Sequence, residues 1–191
     1  MKTEIIEGEK VKLVPLDREQ QKAFRQAWNT QGFKDQQVKH LPKVQQATPR
    51  KNEDSRNYSR DGALFVMRTT SEDRLIGFIA LEGFDWAARS GWVGIGISDP
   101  AYRGKGYGTE AMRLLLRYAF DVLNLNRLNL NVVSHNDRAI RSYEQVGFRY
   151  EGTQREVLCE ENRRVDIVDM GILRKDWELL YRLPVMENQA T

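Results

Sequence analysis

Arg103, Gly104, Lys105, Gly106 and Gly108 fall within six consecutive positions, in the stretch Asp99-Pro-Ala-Tyr-Arg-Gly-Lys-Gly-Tyr-Gly-Thr-Glu-Ala-Met112. Glycines so placed let backbone N–H groups turn outward and approach a ligand with no Cβ in the way. Arg103 and Lys105 add full positive charges beside them. The apolar run Trp92 to Ile97 before the turn reads as a buried strand. After it, Ala111, Leu115, Tyr118, Ala119 and Val122 recur at helical spacing. The turn therefore sits where a strand hands over to a helix, whose first turn contributes unpaired N–H groups and the positive end of its dipole. Such an arrangement binds an anion, and a phosphate or pyrophosphate suits it best.

Two common phosphate loops do not match. A nucleoside-triphosphate loop of the Walker type needs glycine at position 99 and Ser or Thr at 106, where Asp99 and Gly106 stand. Gly106-x-Gly108-x-x-Ala111 satisfies the dinucleotide fingerprint, but Leu125, Asn126 and Arg127 occupy the place of its ribose-binding acid. What remains is Arg103-x-x-Gly106-x-Gly108, which resembles the (Q/R)-x-x-G-x-(G/A) signature of the GNAT superfamily, the Gcn5-related N-acetyltransferases. A second stretch, Asn136-Asp-Arg-Ala-Ile-Arg-Ser-Tyr-Glu-Gln-Val-Gly-Phe148, resembles that superfamily's N-x-x-A-x-x-x-Y-x-x-x-G-F pattern at all five marked positions. The two signatures stand in the expected order, and the resemblance covers nearly the whole chain. Within the superfamily, Tyr102 to Ala111 is most similar to the ribosomal-protein N-terminal and spermidine acetyltransferases.

The resemblance implies an α/β fold of the GNAT type: a mixed, mostly antiparallel twisted sheet flanked by helices and splayed at the strand that carries acetyl-CoA. It also implies direct transfer of the acetyl group from the thioester to an amine, without an acyl-enzyme. The one cysteine, Cys159, lies outside both motifs. Gly104, Gly106, Tyr107, Gly108 and Thr109 would hold the pyrophosphate through backbone, with charge from Arg103 and Lys105. Ile95, Gly96 and Ile97 would run beside the pantetheine arm and offer a backbone N–H to the oxygen of the attacked carbonyl. Asn136 is the position that meets the pantetheine in relatives, and Arg138 and Arg141 are candidates for the 3′-phosphate. Tyr143 occupies the place from which many relatives protonate the departing thiolate, a task that a neutral phenol can perform.

The base is less clear. Members of the subgroup often carry an acid where this chain has Trp92, so Glu82, at the end of the apolar run Leu75 to Leu81, is the expected proton acceptor. Asp85 is a second candidate. The segment from Gln31 to Asp61 has more basic than acidic residues, which ranks a peptide amino terminus or a small-molecule amine above a polyamine as acceptor. A non-catalytic acyl-CoA sensor is the competing function, and retention of Tyr143 and Asn136 favours the enzyme.

These residues need a sheet and helices to hold them. The alternation of Val11 and Leu13 predicts a first strand, and Asp17 with Gln20 opens a helix through Trp28. Residues 29–61 read as a substrate-side loop region, with one helix starting at Thr48-Pro49 and ending near Tyr58. Strands follow at Ala63 to Met67, Leu75 to Leu81 and Gly91 to Ile97. Gly94 and Gly96, one pleat apart, suit close approach by a ligand. Beyond the long helix, Leu128 to Val132 reads as a strand, and Asn136 to Gly147 as a capped helix. A hairpin is expected between Thr153 and Leu173. Residues 1–191 are expected to form one domain with its core at about 8–175 and a frayed tail from 188.

Composition sets outer limits. Thirty Lys and Arg against 27 Asp and Glu give a net charge of +3. The charge is well mixed along the chain, which argues against a nucleic-acid or membrane surface. The polar start Met1-Lys-Thr-Glu resembles no signal peptide, no apolar run reaches membrane-spanning length, and a cytoplasmic enzyme is expected. A single cysteine and two distant histidines, His40 and His135, predict no metal site. The last hairpin offers an edge for a homodimer.

Overall fold

Strand and helix boundaries follow the apolar pattern closely. The computed structural model describes residues 4–16, 58–59, 62–160 and 162–182. Nine strands form one sheet: β1 (Ile6–Glu7), β2 (Val11–Pro15), β3 (Tyr58–Ser59), β4 (Ala63–Thr69), β5 (Leu75–Asp85), β6 (Ser90–Ile97), β7 (Arg127–Val133), β8 (Arg149–Glu160) and β9 (Arg163–Leu173). Their order is β1-β2-β4-β5-β6-β7-β9-β8, with β3 beside β5. Helix α1 (Tyr107–Arg117) continues through a wider π-type turn, Tyr118–Val122. Helix α2 (Asp137–Glu144) joins β7 to β8, and α3 (Arg174–Tyr181) follows β9.

The fold is the mixed, mostly antiparallel sheet that the sequence led us to expect. Among the described residues, every strand pairing is antiparallel except β6 with β7. That parallel pairing covers only Ser90↔Arg127, Gly91↔Leu128 and Trp92↔Asn129. Past Trp92 the facing edges of the two strands make no ladder with each other, so the sheet opens between Val93–Ile97 and Leu130–Val133. A sheet split this way exposes backbone N–H and C=O groups that a ligand can use.

One face of the sheet carries the core. Val11, Leu13, Phe65, Met67, Ile79, Leu81, Leu128, Leu130 and Val132 pack with Ala111, Met112, Leu115 and Leu116 of α1, all nearly or fully buried. Each buried Val, Leu, Ile, Met or Phe side chain contributes roughly 1.5–3 kcal/mol on leaving water. The second face is apolar near β4 and β5, where Leu64, Phe78 and Ala80 form a small cluster, and again at Val133 and Ile167. Toward β7 and β9 it turns polar, with Arg127, Asn129, Asn131 and Asp169 in line.

Three expectations change, and one glycine gains a second reason. The strand expected at 75–81 runs on to Asp85, with a register shift between Glu82 and Asp85. Tyr58, placed at a helix end by the sequence pattern, pairs instead with Asp85 in β3. Helix α3 was not anticipated. Gly96 is small for a packing reason, since a Cβ there would lie 2.6 Å from Phe78 Cε1. The helix expected at 17–28, the rest of the loop region 29–61 and the tail from 188 lie outside the described residues.

Candidate active site

The turn between β6 and α1 is built around two glycines whose backbone no other residue adopts readily. Gly104 has φ +70° and Gly106 φ +88°, in the left-handed region where a Cβ is strained. A Cβ at Gly104 would meet nothing within 4 Å, and one at Gly106 only Lys10 Nζ at 3.7 Å. The space in front of this backbone is therefore open. Gly106 caps α1 without any side-chain hydrogen bond, which leaves the first-turn N–H groups to a ligand. Glu110, the acid in that turn, is drawn away from it: its carboxylate accepts from the Lys10 backbone N–H at 3.0 Å.

Arg103 locks the turn to the strand. Its Nε donates to the Ile97 carbonyl at 3.1 Å and its Nη2 to Ser98 O at 3.3 Å. Its pKa is pushed down from the usual arginine value, first by burial and then by the positive charge of Arg138, with Asp99 opposing. Two cations that repel each other beside an open glycine turn are relieved by a bound anion.

From the turn, a cavity of about 430 Å³ runs into the split sheet. Ile95, Gly96 and Ile97 form one wall and Asn131, Val132 and Val133 the other. Helix α2 closes the side with Asn136, Arg138, Arg141, Ser142 and Tyr143. The Asn136 side chain caps α2 by accepting from Ala139 N at 3.2 Å. The Thr109 and Ser142 hydroxyls, 2.9 Å apart, tie the first turn of α1 to α2.

Tyr143 is half-buried against Phe148, ring centres 6.2 Å apart, and it lines the cavity. Burial pushes its pKa up to about 12, so the phenol keeps its proton at neutral pH.

Of the candidates named from sequence, Arg103, Gly104, Gly106, Gly108, Thr109, Ile95, Gly96, Ile97, Asn136, Arg138, Arg141 and Tyr143 are brought together on this cavity. Lys105 is exposed at the turn but not in its wall, and Tyr107 packs edge-on against Tyr102 at 5.3 Å. Glu82 lies on β5, in register with Trp92 and outside the lining residues, as does Asp85, whose carboxylate accepts from Ala88 N at 2.9 Å. Sequence reasoning missed Lys10, Asn131, Val133, Ser142 and Ile167. Strand pairing brings Asn131, Val133 and Ile167 there, whereas Ser142 stands beside Tyr143 on α2 and Lys10 precedes β2. Among the described residues, no cluster of His, Cys, Asp and Glu is suited to a metal, and no helix is long and apolar enough to cross a membrane.

Comparison with known proteins agrees with this geometry. Residues 10–149 match the family model of the acetyltransferase (GNAT) domain. A putative ribosomal N-acetyltransferase of Bacillus subtilis is 34% identical over 104 residues, covering 54% of this chain and 56% of that protein. A spermidine N(1)-acetyltransferase of Vibrio cholerae is 32% identical over 107 residues, 56% of this chain and 61% of the relative. The chain thus spans a little over half the length of such curated relatives. Among solved structures, a spermidine N-acetyltransferase chimera derived in part from Vibrio cholerae superposes with a TM-score of 0.66 at 26% identity, over 90% of this chain and 99% of the other.

Proposed function

Because the chain belongs to the GNAT acetyltransferase family, we propose that it transfers an acetyl group from acetyl-CoA to the nitrogen of an amine, a peptide amino terminus or a small-molecule amine. The observation that carries this reading is the continuous cavity from the glycine turn, through the split between β6 and β7, to the Tyr143 hydroxyl. Acetyl-CoA supplies a thioester whose acyl carbon is open to attack by nitrogen.

The chain's own groups divide the work. Open backbone at Gly104 and Gly106, with Arg103, Lys10 and Arg138 nearby, suits the pyrophosphate. Arg141 extends the same positive rim toward a further phosphate. The unpaired edge of Val93–Ile97 offers N–H donors to an extended arm and to the acyl oxygen. Holding both reactants in the split supplies much of the rate by orientation. As the C–N bond forms and the C–S bond breaks, Tyr143 gives its proton to the departing sulfur and regains one from the attacking nitrogen, while an acceptor that arrives as an ammonium gives up one proton more. Glu82 is the proposed final acceptor of that proton, reached through water because it stands outside the cavity wall.

A polyamine acceptor is the alternative within this class. Release of free thiol from acetyl-CoA, measured against spermidine, short peptides with free amino termini and simple alkylamines, tests the proposal. Amine-dependent release supports it. Tight acetyl-CoA binding with no release across the panel would replace the enzyme with a sensor.

A further inference from the structure

The polar face of the sheet holds a carboxylate that the reaction described above leaves unused. Partners in a sheet register share a face, so Glu82, Trp92, Asn129, Asn131 and Asp169 all lie on the side opposite α1. Most charge there is already compensated. Arg127 pairs with Glu151 and donates from Nε to Asn129 Oδ1 at 2.6 Å, while Arg149 pairs with Asp176. Asp169 differs. Its carboxylate accepts from the Asn131 side-chain amide and from Gln154 Nε2, the latter at 3.0 and 2.9 Å. Both partners are neutral amides, and among the described residues no cation pairs with it. Two amide donors fix the carboxylate without cancelling its charge.

Its position matters as much as its charge. Asn131 forms part of the cavity wall, and Ile167, two residues before Asp169 on β9, forms another part. The opposite lip of the split carries Gly94, where a Cβ would meet nothing within 4 Å. Trp92 is 44% exposed on the same face, at the last paired position before the strands part. By register, Gly94 on one lip of the split, the exposed indole of Trp92 and the fixed carboxylate of Asp169 all belong to this polar face, beside the cavity wall at Asn131. Carboxylate and aromatic face together recognise an alkylammonium.

Resting on the acetyltransferase reading, we propose that Asp169, held by Asn131 and Gln154, is the acceptor-ammonium subsite, and that acceptors enter over Gly94 from the face opposite α1. The subsite selects amines that arrive protonated. Asp169 binds and positions the ammonium; it is not assigned the removal of its proton.

The test compares wild type, Asp169→Asn, Asp169→Glu and Gly94→Val. Benzylamine, an ammonium at neutral pH, and aniline, neutral there, serve as acceptors, and spermidine binding to the CoA-saturated protein is read by calorimetry. Asp169→Asn should raise KM for benzylamine and weaken spermidine at least about tenfold, with aniline turnover and acetyl-CoA affinity unchanged. Asp169→Glu should recover part of the loss. Gly94→Val should raise KM for both amines. Equal losses for charged and neutral amines would make Asp169 merely structural and overturn the subsite. So would unchanged benzylamine KM in Asp169→Asn. Failure to bind acetyl-CoA at all would fall instead on the acetyltransferase reading.

Discussion

Arg103 Nε donates to the Ile97 carbonyl oxygen at 3.1 Å, so the residue that opens the glycine turn is bound to the last residue of β6. The guanidinium spends donors on the strand end while its charge remains beside Arg138. It ties the turn to the end of β6 in addition to its proposed place in the anion site. Arg103→Lys keeps the charge and loses the planar fork. Acetyl-CoA affinity should fall about tenfold or more with loss of a charged hydrogen bond. Calorimetry on the variant reads this directly, and wild-type affinity would reduce Arg103 to a source of charge.

Gly106 separates backbone conformation from crowding. A Cβ there has room, with only Lys10 Nζ at 3.7 Å, but φ is +88°. Gly106→Val should therefore cost roughly 1–2 kcal/mol of stability through left-handed strain alone. It should also abolish acetyl-CoA binding, because the side chain fills the open space before the backbone. Thermal unfolding and calorimetry on the same sample distinguish the two effects. Retained affinity in a folded variant would remove the turn from the cofactor site.

The turn and α2 were legible in the sequence because each is local. Glycines, charge and a cap lie within a few residues of one another, and their chemistry does not depend on distant pairing. The split between β6 and β7 was implied only by family resemblance, since it arises where a three-residue parallel register stops. Asn131 and Asp169 meet across β7 and β9, and Lys10 approaches Gly106 from β2's side of the sheet. No spacing rule joins residues so far apart. The packing reason for Gly96 was not legible, because a strand glycine looks the same whether it faces a ligand or a ring such as Phe78. Helix α3 escaped because it starts at Leu173, which offers no capping side chain, and buries only Trp177 while Leu179 and Leu180 stay exposed.

Close backbone packing gives a prediction about the fold alone. A Cβ on Gly77 would lie 2.1 Å from the Gly96 carbonyl oxygen, an atom of the neighbouring strand that has little freedom to move. Gly152 has nothing within 4 Å. Gly77→Ala should destabilise by roughly 1–3 kcal/mol as an overpacked site, whereas Gly152→Ala should be nearly neutral. Urea unfolding of the two variants checks the contrast. Equal midpoints would mean that β5 and β6 separate more easily than their register suggests.

Glu82 faces the polar side of the sheet, in register with exposed Trp92, and does not line the cavity. If it accepts the proton through water, Glu82→Gln should lower kcat/KM for the amine at least about tenfold while leaving acetyl-CoA affinity alone. Steady-state kinetics with a saturating thioester measure it. Unchanged kcat/KM would pass the proton directly to solvent.

Tyr143 makes the sharpest claim about protons. Burial raises its pKa from 10.0 to about 12, so the hydroxyl remains a donor throughout the neutral range. Tyr143→Phe removes only that oxygen. It should lower kcat about a hundredfold or more while acetyl-CoA affinity stays nearly constant. Linkage supplies an independent check. The folded state holds the phenolic proton more tightly than the unfolded chain, so the associated stability is complete below pH 10.0 and is lost as pH rises toward about 12. The Phe variant lacks that ionisation and should lose less stability across the same window. Urea midpoints measured between pH 9 and pH 11 would show the two curves diverging, with wild type falling faster. Parallel curves would mean that the ring's hydroxyl is as well solvated in the folded protein as in the unfolded chain, and the assignment of a buried proton donor would fail with them.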